Sequence, residues 1–95
     1  MLDLHAVFEE FEHEFLKFDR IENPRHPRRD LCAFLMLDDL LGGKGCMVSG
    51  AEHDLIYLES RCLLLARKAS KEFIRDLVRC GISHDEEGDY LVKHV

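Results

Sequence analysis

The chain lacks tryptophan, has only two prolines and contains no apolar run near the length that crosses a membrane. A transmembrane helix needs about 20 consecutive apolar residues, whereas 34% of this chain is charged. The sequence therefore argues against a membrane protein and against a membrane partner. Its N-terminus also lacks the basic start and apolar stretch of a secretory signal. We expect a cytoplasmic protein.

Catalytic and nucleotide-binding motifs are also missing. The sequence has no GxGxxG, GxSxG or HExxH pattern, and the segment 42–45, Gly-Gly-Lys-Gly, lacks the GxxxxGK[ST] spacing of a phosphate-binding loop. Glycines at this place indicate the end of a helix and a turn. We therefore predict no cofactor and favour a protein that is not an enzyme.

The four cysteines, Cys32, Cys46, Cys62 and Cys80, are spread along the chain without a CxxC pair. Spacing of this kind is typical of small apolar side chains in a reducing compartment. Cys80 is predicted at a helix C-terminus, where the dipole raises the pKa of a thiol, so it is a poor nucleophile. No cysteine or histidine pair has the close spacing of a structural zinc site.

A stripe of large apolar residues marks the N-terminus. Its members recur at intervals of three and four, which keeps them on one side of a helix: Leu4, Phe8, Phe11, Phe15 and Phe18. Glutamates fill the other positions. The pattern predicts one amphipathic, acidic helix from the cap residue Asp3 to about Arg20.

The rest of the chain alternates between helical and strand patterns. We predict a helix over 31–41 capped by Asp30, with a buried strand over 31–37 as the alternative. The mostly apolar face of this helix is predicted to contain Leu31, Phe34, Leu35, Asp38 and Leu41. Strands 46–51 and 54–59 form a hairpin, helices cover 61–68 and 71–80, and strands 82–85 and 90–94 form a second hairpin. The expected fold is one α+β domain, 1–95, in the order ααββααββ, with a small antiparallel sheet of two hairpins covered on one face by helices.

Basic residues are segregated from the acidic N-terminus. One group, Arg67, Lys71, Arg75 and Arg79, is spaced as a helical ridge, and a second, Arg25, Arg28 and Arg29, lies in the proline-containing loop. Either group could receive phosphates or an acidic protein surface. The alternatives are a solvated face or internal pairing with the acids of the first helix. A net charge of −6 argues against a general nucleic-acid partner.

The predicted turn Glu52-His53-Asp54 is the candidate for chemistry. A histidine between carboxylates could bind a metal or act as a general base. Neighbouring strand residues point to opposite sides, however, so a polar turn is the alternative. A metal site could also assemble from His53 with His84 or His94 if the two hairpins adjoin.

The stretch 51–58, Ala-Glu-His-Asp-x-Ile-x-Leu, and the stretch 77–82, Leu-Val-Arg-Cys-Gly-Ile, give the second half of the chain a resemblance to a known group. It resembles small uncharacterised bacterial proteins of the kind found near phage and prophage genes. The resemblance implies a phage-associated or accessory role and no particular activity.

These observations predict a non-enzymatic binding or regulatory module that acts through contacts with another protein. An acidic face can imitate the charge of nucleic acid and occupy a basic groove on the partner. A domain this small can also leave an apolar patch on its first or second helix uncovered, which favours a homodimer. The alternative is a small metal-binding protein or enzyme centred on Glu52, His53 and Asp54.

Overall fold

The computed structural model describes residues 1–58 and 61–94. The helices are α1 (Leu4–Glu10), α2 (Arg29–Leu41), α3 (Cys62–Lys68) and α4 (Lys71–Arg79), and the strands are β1 (Val48–Glu52), β2 (Leu55–Leu58), β3 (Ile82–Asp85) and β4 (Tyr90–His94). Short 3-10 turns cover Glu12–Glu14 and Phe18–Arg20. The predicted α+β fold and the order ααββααββ are confirmed. None of the helices in the described ranges has the length and apolar character to cross a bilayer.

The strands form one antiparallel sheet in the order β1-β2-β4-β3, so the two hairpins are joined through β2 and β4. Residues directly opposite each other share a face. The pairs Leu58↔Leu91 and Ile56↔Lys93 place those side chains on the face that the helices cover. The pair Tyr57↔Val92 lies on the opposite face, which we call the open face.

The core lies between the helices and the covered face of the sheet. Its fully buried large side chains come from β2, α3, α4, β3 and β4: Leu58, Leu65, Ile74, Leu77, Ile82 and Leu91. The aromatic residues of the N-terminal segment complete this core. Phe8 is buried in it, and Phe11, Phe15 and Phe18 pack against it.

The prediction of one continuous N-terminal helix is wrong. α1 ends at Glu10, and the chain turns where Leu16 adopts a φ of 63°, a left-handed conformation that no straight helix contains. The amide of Leu16 donates to the carbonyl of Val78 in α4. The break lets the phenylalanines reach the core from several short turns.

The second helix is confirmed as a helix, but its buried side differs from the predicted one. Arg28 is its N-cap, and Asp30 lies one residue inside its first turn. The residues that it buries are Cys32, Ala33, Met36 and Leu37, whereas Leu31 and Leu35 of the predicted face are 41% and 40% exposed. The apolar residues of this helix lie on most of its sides, so periodicity alone could not select the side that packs on the core. The homodimer remains a prediction.

The other elements follow the predicted boundaries closely. Ser70 caps α4 by accepting a hydrogen bond from the amide of Phe73, as a serine before a helix predicts. Gly81, with a φ of 91°, ends the turn between α4 and β3. Glu59, which the prediction placed in the second strand, lies outside the described residues.

Candidate functional site

The Glu52-His53-Asp54 turn lies at the tip of the first hairpin, and its side chains do not converge. Glu52 pairs with Leu55, and its carboxylate accepts a 2.9 Å hydrogen bond from the hydroxyl of Tyr57. His53 has a φ of 50° and is exposed. The two hairpins adjoin, but β1 and β3 are opposite edges of the sheet. His53 and His84 therefore do not share a site.

The arginines of the proline-containing loop lie at the start of α2. The guanidinium of Arg25 contacts the carboxylate of Asp39. Arg28 is the N-cap residue, with its amide bonded to the ring of His26, and Arg29 opens the helix. The three side chains are thus near one helix end, with one of them already paired to an acidic side chain.

The predicted basic ridge is divided between two helices. Arg67 belongs to α3, whereas Lys71, Arg75 and Arg79 belong to α4, because the helix is interrupted between residues 68 and 71. Lys71 contacts Glu10 at 3.2 Å, and Arg75 contacts the adjacent Asp76 at 3.4 Å. Internal pairing thus occupies most of this ridge.

Arg79 makes the tightest of these contacts, to the buried Glu14. Its guanidinium donates to one carboxylate oxygen of Glu14 at 2.9 and 2.6 Å, and to Asp76 at 3.0 Å. Arg20 binds the other oxygen of Glu14. Hydrogen bonding from Arg79 outweighs desolvation and lowers the pKa of Glu14. This cluster fastens the N-terminal segment to α4.

The glycine-rich stretch 42–45 ends α2, as the sequence predicts. Gly42 has a φ of 65° and closes the helix. The guanidinium of Arg61 donates to the carbonyl of Leu41 at 3.1 Å and to that of Gly42. The ammonium of Lys68 reaches the carbonyl of Leu40 at 3.4 Å. These cations complement the negative end of the helix dipole.

A group of histidine, cysteine and carboxylate side chains meets where α1 and α3 pack near β3. We call it the imidazole cluster, and its members are His5, Glu9, Cys62, His84, Glu86 and Asp89. The Nδ1 atoms of His5 and His84 are 3.1 Å apart. Among these residues, the sequence indicates only His84 as a candidate metal ligand.

Carboxylates occupy both ends of this histidine pair. His5 Nε2 lies 3.0 Å from Glu9 and 2.8 Å from Glu86. His84 Nε2 lies 2.9 Å from Asp89. The thiol of Cys62 lies 3.4 Å from the carbonyl oxygen of Asp89. Cys62 is buried and His84 is half-buried, with 5% of its side chain exposed, whereas the side chain of Asp89 is 71% exposed.

A cleft of about 290 Å³ opens beside the histidine pair, between α1 and β3. Its walls include Phe8, Glu12, Phe15 and Ser83. The ring of Phe8 stacks on His84 with centroids 5.9 Å apart, which fixes the orientation of that imidazole. The imidazole cluster is therefore accessible from solvent although its inner members are buried.

Two tyrosines lie on the open face, on the two central strands β2 and β4. The rings of Tyr57 and Tyr90 meet edge to face at 5.5 Å, and each hydroxyl is bound by a carboxylate, Glu52 for Tyr57 and Asp85 for Tyr90. Val92 lies beside them and is 6% exposed, yet it is outside the main core cluster.

The charged side chains that act on these tyrosines are carboxylates. The hydrogen bond to Glu52 is the largest cause of the raised pKa of Tyr57. Burial first, and then Asp85, raise the pKa of Tyr90, with Glu87 adding to the effect. Hydrogen bonds from Gly88 and Tyr90 lower the pKa of Asp85 against its desolvation. The open face is therefore an aromatic surface with a negative border.

Among the strands of the described residues, Lys93 is the only lysine, and it lies on the covered face, where the residue is 2% exposed. Its ammonium donates to the carbonyl of His94. Burial lowers the pKa of Lys93, and the charge of Arg29 adds to that effect. This lysine adds no positive charge to the open face.

The cysteines differ in environment. Cys32, Cys62 and Cys80 are buried as predicted, whereas Cys46 is exposed, and the four form no disulfide among the described residues. Burial is the main reason that the pKa of Cys80 rises to about 12. The predicted poor nucleophilicity of Cys80 therefore has burial as its main cause, ahead of the helix end.

Comparison of the chain with protein-family models, with curated proteins and with solved structures finds no match.

Proposed function

We propose that the protein is a non-enzymatic binding module that holds a basic surface of another protein against its open face. The observation that carries the proposal is the pair of tyrosines, Tyr57 and Tyr90, on the sheet face opposite the main core. Toward one end of this face the ring of Phe15 packs on His94. Tyrosine is enriched at protein interfaces because its rigid ring buries a large area with little loss of side-chain entropy.

The tyrosines are preorganised for contact. Each ring is held against the other, and each hydroxyl is anchored to a carboxylate on an outer strand. A partner would find these rings already ordered, which reduces the entropy lost on binding. Leu55, two residues from Tyr57 on β2 and half-buried, would extend the apolar centre of the contact.

Charge selects the kind of partner. The strand residues that share this face include Glu52, Asp85 and His94 but no lysine or arginine. Together with the net charge of −6, this favours a partner rich in lysine or arginine and repels a phosphate backbone. The basic residues of the proline-containing loop and of α4 could attract an acidic surface, but they lie outside the sheet, and Arg25, Lys71 and Arg79 among them are paired with carboxylates.

The first test uses a fluorescently labelled arginine-rich peptide and anisotropy at physiological salt. We expect Tyr57→Ala to weaken binding about tenfold, since truncated aromatic anchors at interface centres have effects of this size. Glu52→Gln removes the charge while its amide oxygen can still accept the Tyr57 hydroxyl, so it should weaken binding and reduce its salt dependence.

Leu63→Ala is the matched control, because Leu63 is 58% exposed on α3, outside the sheet. It should bind as the wild type does. Equal affinity of the wild type and the Tyr57→Ala variant, or loss of binding only in the Leu63→Ala variant, would overturn the proposal. A concentration-dependent dimer that disappears in Tyr57→Ala would identify a second copy of the chain as the occupant instead.

A further inference from the structure

We propose that Cys62, His84 and Asp89 form a binding site for a divalent transition metal of the zinc type, and that His5 orients His84 from behind. The site is independent of the open face. It brings together one sulfur, one nitrogen and one oxygen donor from three parts of the chain: the first residue of α3, the middle of β3 and the turn before β4.

The donor atoms are close to the geometry that zinc requires. The ligand atoms of Cys62, His84 and Asp89 all lie within 4.8 Å of one another. Tetrahedral zinc, with bonds of 2.0–2.3 Å, places its ligand atoms roughly 3.3–3.7 Å apart. His84 and Asp89 must separate slightly from 2.9 Å, and the thiol must approach. The exposed Asp89 side chain has room for this adjustment.

The set of donors favours zinc over harder cations. A thiolate and an imidazole are ligands for zinc, whereas magnesium and calcium prefer oxygen donors alone. Three protein ligands leave a fourth position for water on the side of Asp89, which is 71% exposed. The thiol of Cys62 is buried and the side chain of His84 is 5% exposed, so the exposed carboxylate of Asp89 offers an ion one approach to the site.

The histidine pair supplies the outer contact that zinc-bound histidines usually have. A ligand imidazole donates its second N–H to a neighbouring acceptor, which fixes the ring and its tautomer. Here the second nitrogen of His84 lies 3.1 Å from Nδ1 of His5. The far nitrogen of His5 faces Glu9 and Glu86. The chain of contacts therefore runs from metal to His84, to His5, to a carboxylate.

The proton balance is consistent with this role. Without a metal, the Nδ1–Nδ1 contact needs one N–H, and each Nε2 that faces a carboxylate needs another. When the metal binds Nε2 of His84, the Nδ1–H of that ring can still donate to Nδ1 of His5, and the Nε2–H of His5 can donate to Glu9 or Glu86. Cys62 binds the metal as a thiolate, so its proton is released on binding.

The alternative set His5, Glu9 and Glu86 is a weaker ligand group. Its two carboxylates are 67% and 71% exposed, and it contains no thiol. It also supplies the acceptors that the histidine pair needs. We therefore assign it to the outer contacts of the site and not to the metal itself.

Cobalt titration tests the site directly, because a thiolate ligand produces a sulfur-to-cobalt charge-transfer band and tetrahedral coordination intensifies the visible bands. We expect one equivalent of Co²⁺ to bind to the purified, reduced protein and Zn²⁺ to displace it. Cys62→Ser should abolish the charge-transfer band, and His84→Gln should abolish tight binding. His5→Gln should retain the spectrum but bind zinc about 10–100-fold more weakly, as loss of an outer contact does.

Two control variants distinguish this site from others. Cys46→Ser removes the exposed thiol, and His53→Gln removes the histidine of the first hairpin. Both should bind cobalt with wild-type spectrum and affinity. Absence of stoichiometric binding, loss of the band only in Cys46→Ser, or loss of binding in His53→Gln would each overturn the assignment. Circular dichroism of every variant shows whether it is folded, and zinc should raise the melting temperature of the wild type but not of folded His84→Gln.

Discussion

Gly81 provides a sharp test of how the N-terminal segment packs. Its φ of 91° lies in the region that L-residues avoid, and a Cβ there would come 2.8 Å from Leu16 Cδ2 and 3.3 Å from Lys93 Nζ. We consider the substitution Gly81→Ala. It introduces backbone strain, and its Cβ makes a close steric contact with Leu16, the residue at which the predicted helix is interrupted.

Gly45 separates the cost of backbone strain from the cost of crowding. Its φ of 86° is nearly the same as that of Gly81, but an added Cβ there would have nothing within 4 Å. Strain of about 1–2 kcal/mol, reduced by about 0.4–1 kcal/mol for the lost freedom of the unfolded chain, gives about 1 kcal/mol for Gly45→Ala. Crowding at Gly81 adds about 1–2 kcal/mol. Gly81→Ala should therefore destabilise by about 2–3 kcal/mol.

Urea unfolding followed by circular dichroism measures both changes. Leu16→Ala removes the Cδ2 atom that an added Cβ at Gly81 would meet, and Leu16 is 43% exposed. The substitution should therefore relieve most of the crowding, with a coupling of about 1 kcal/mol between Gly81→Ala and Leu16→Ala in the double-mutant cycle. If Gly81→Ala and Gly45→Ala are equally destabilised and Leu16→Ala shows no coupling to Gly81→Ala, Leu16 does not pack at this turn.

Other predictions concern buried polar groups and thiols. Lys93→Met should be more stable than the wild type near neutral pH, because burial of the charged ammonium costs stability. Between the lowered folded pKa of Lys93 and 10.5 the unfolded chain binds more protons than the folded one, so the wild type gains stability as pH rises, and thermal melts should show the difference between the two proteins shrinking there. Glu14→Gln should be less stable than the wild type above pH 4.5, and the difference should decline as pH falls through the lowered folded pKa of Glu14; a constant difference would contradict the Arg79 contact. In metal-free native protein, a thiol reagent at neutral pH should modify Cys46 rapidly, whereas the buried cysteines should react only after unfolding; rapid modification of Cys80 would contradict its burial.

Local signals account for the elements that the sequence predicted well. Ser70 and Gly81 mark the two ends of α4, and the acidic turn over 86–89 separates β3 from β4, so these boundaries depend on residues within or next to each element. The second helix was identified for the same reason, since Gly42 ends it.

The wrong predictions concern contacts between distant parts of the chain. The break at Leu16 depends on a hydrogen bond to Val78 and on the contact of Glu14 with Arg79, which lies 65 residues away. A glutamate in an acidic stretch gives no local sign that it is buried. Tertiary contact therefore overrides the helical periodicity.

The imidazole cluster was missed for a related reason. His5 and His84 are 79 residues apart, so no spacing rule for metal sites includes them. The one local sign was His5 with Glu9 at a spacing of four, which puts both on one side of α1. The open face could be foreseen only in part, since alternation predicts two faces of a strand but not which one the helices cover.

The central claim is that the uncovered side of the sheet is the binding surface. An NMR titration of isotope-labelled protein with an arginine-rich peptide at physiological salt tests it most directly. The account predicts shifts concentrated on residues 55–58 and 90–94 and on the Tyr57 and Tyr90 side chains. Shifts confined to α3 and α4, or none at all, would contradict it.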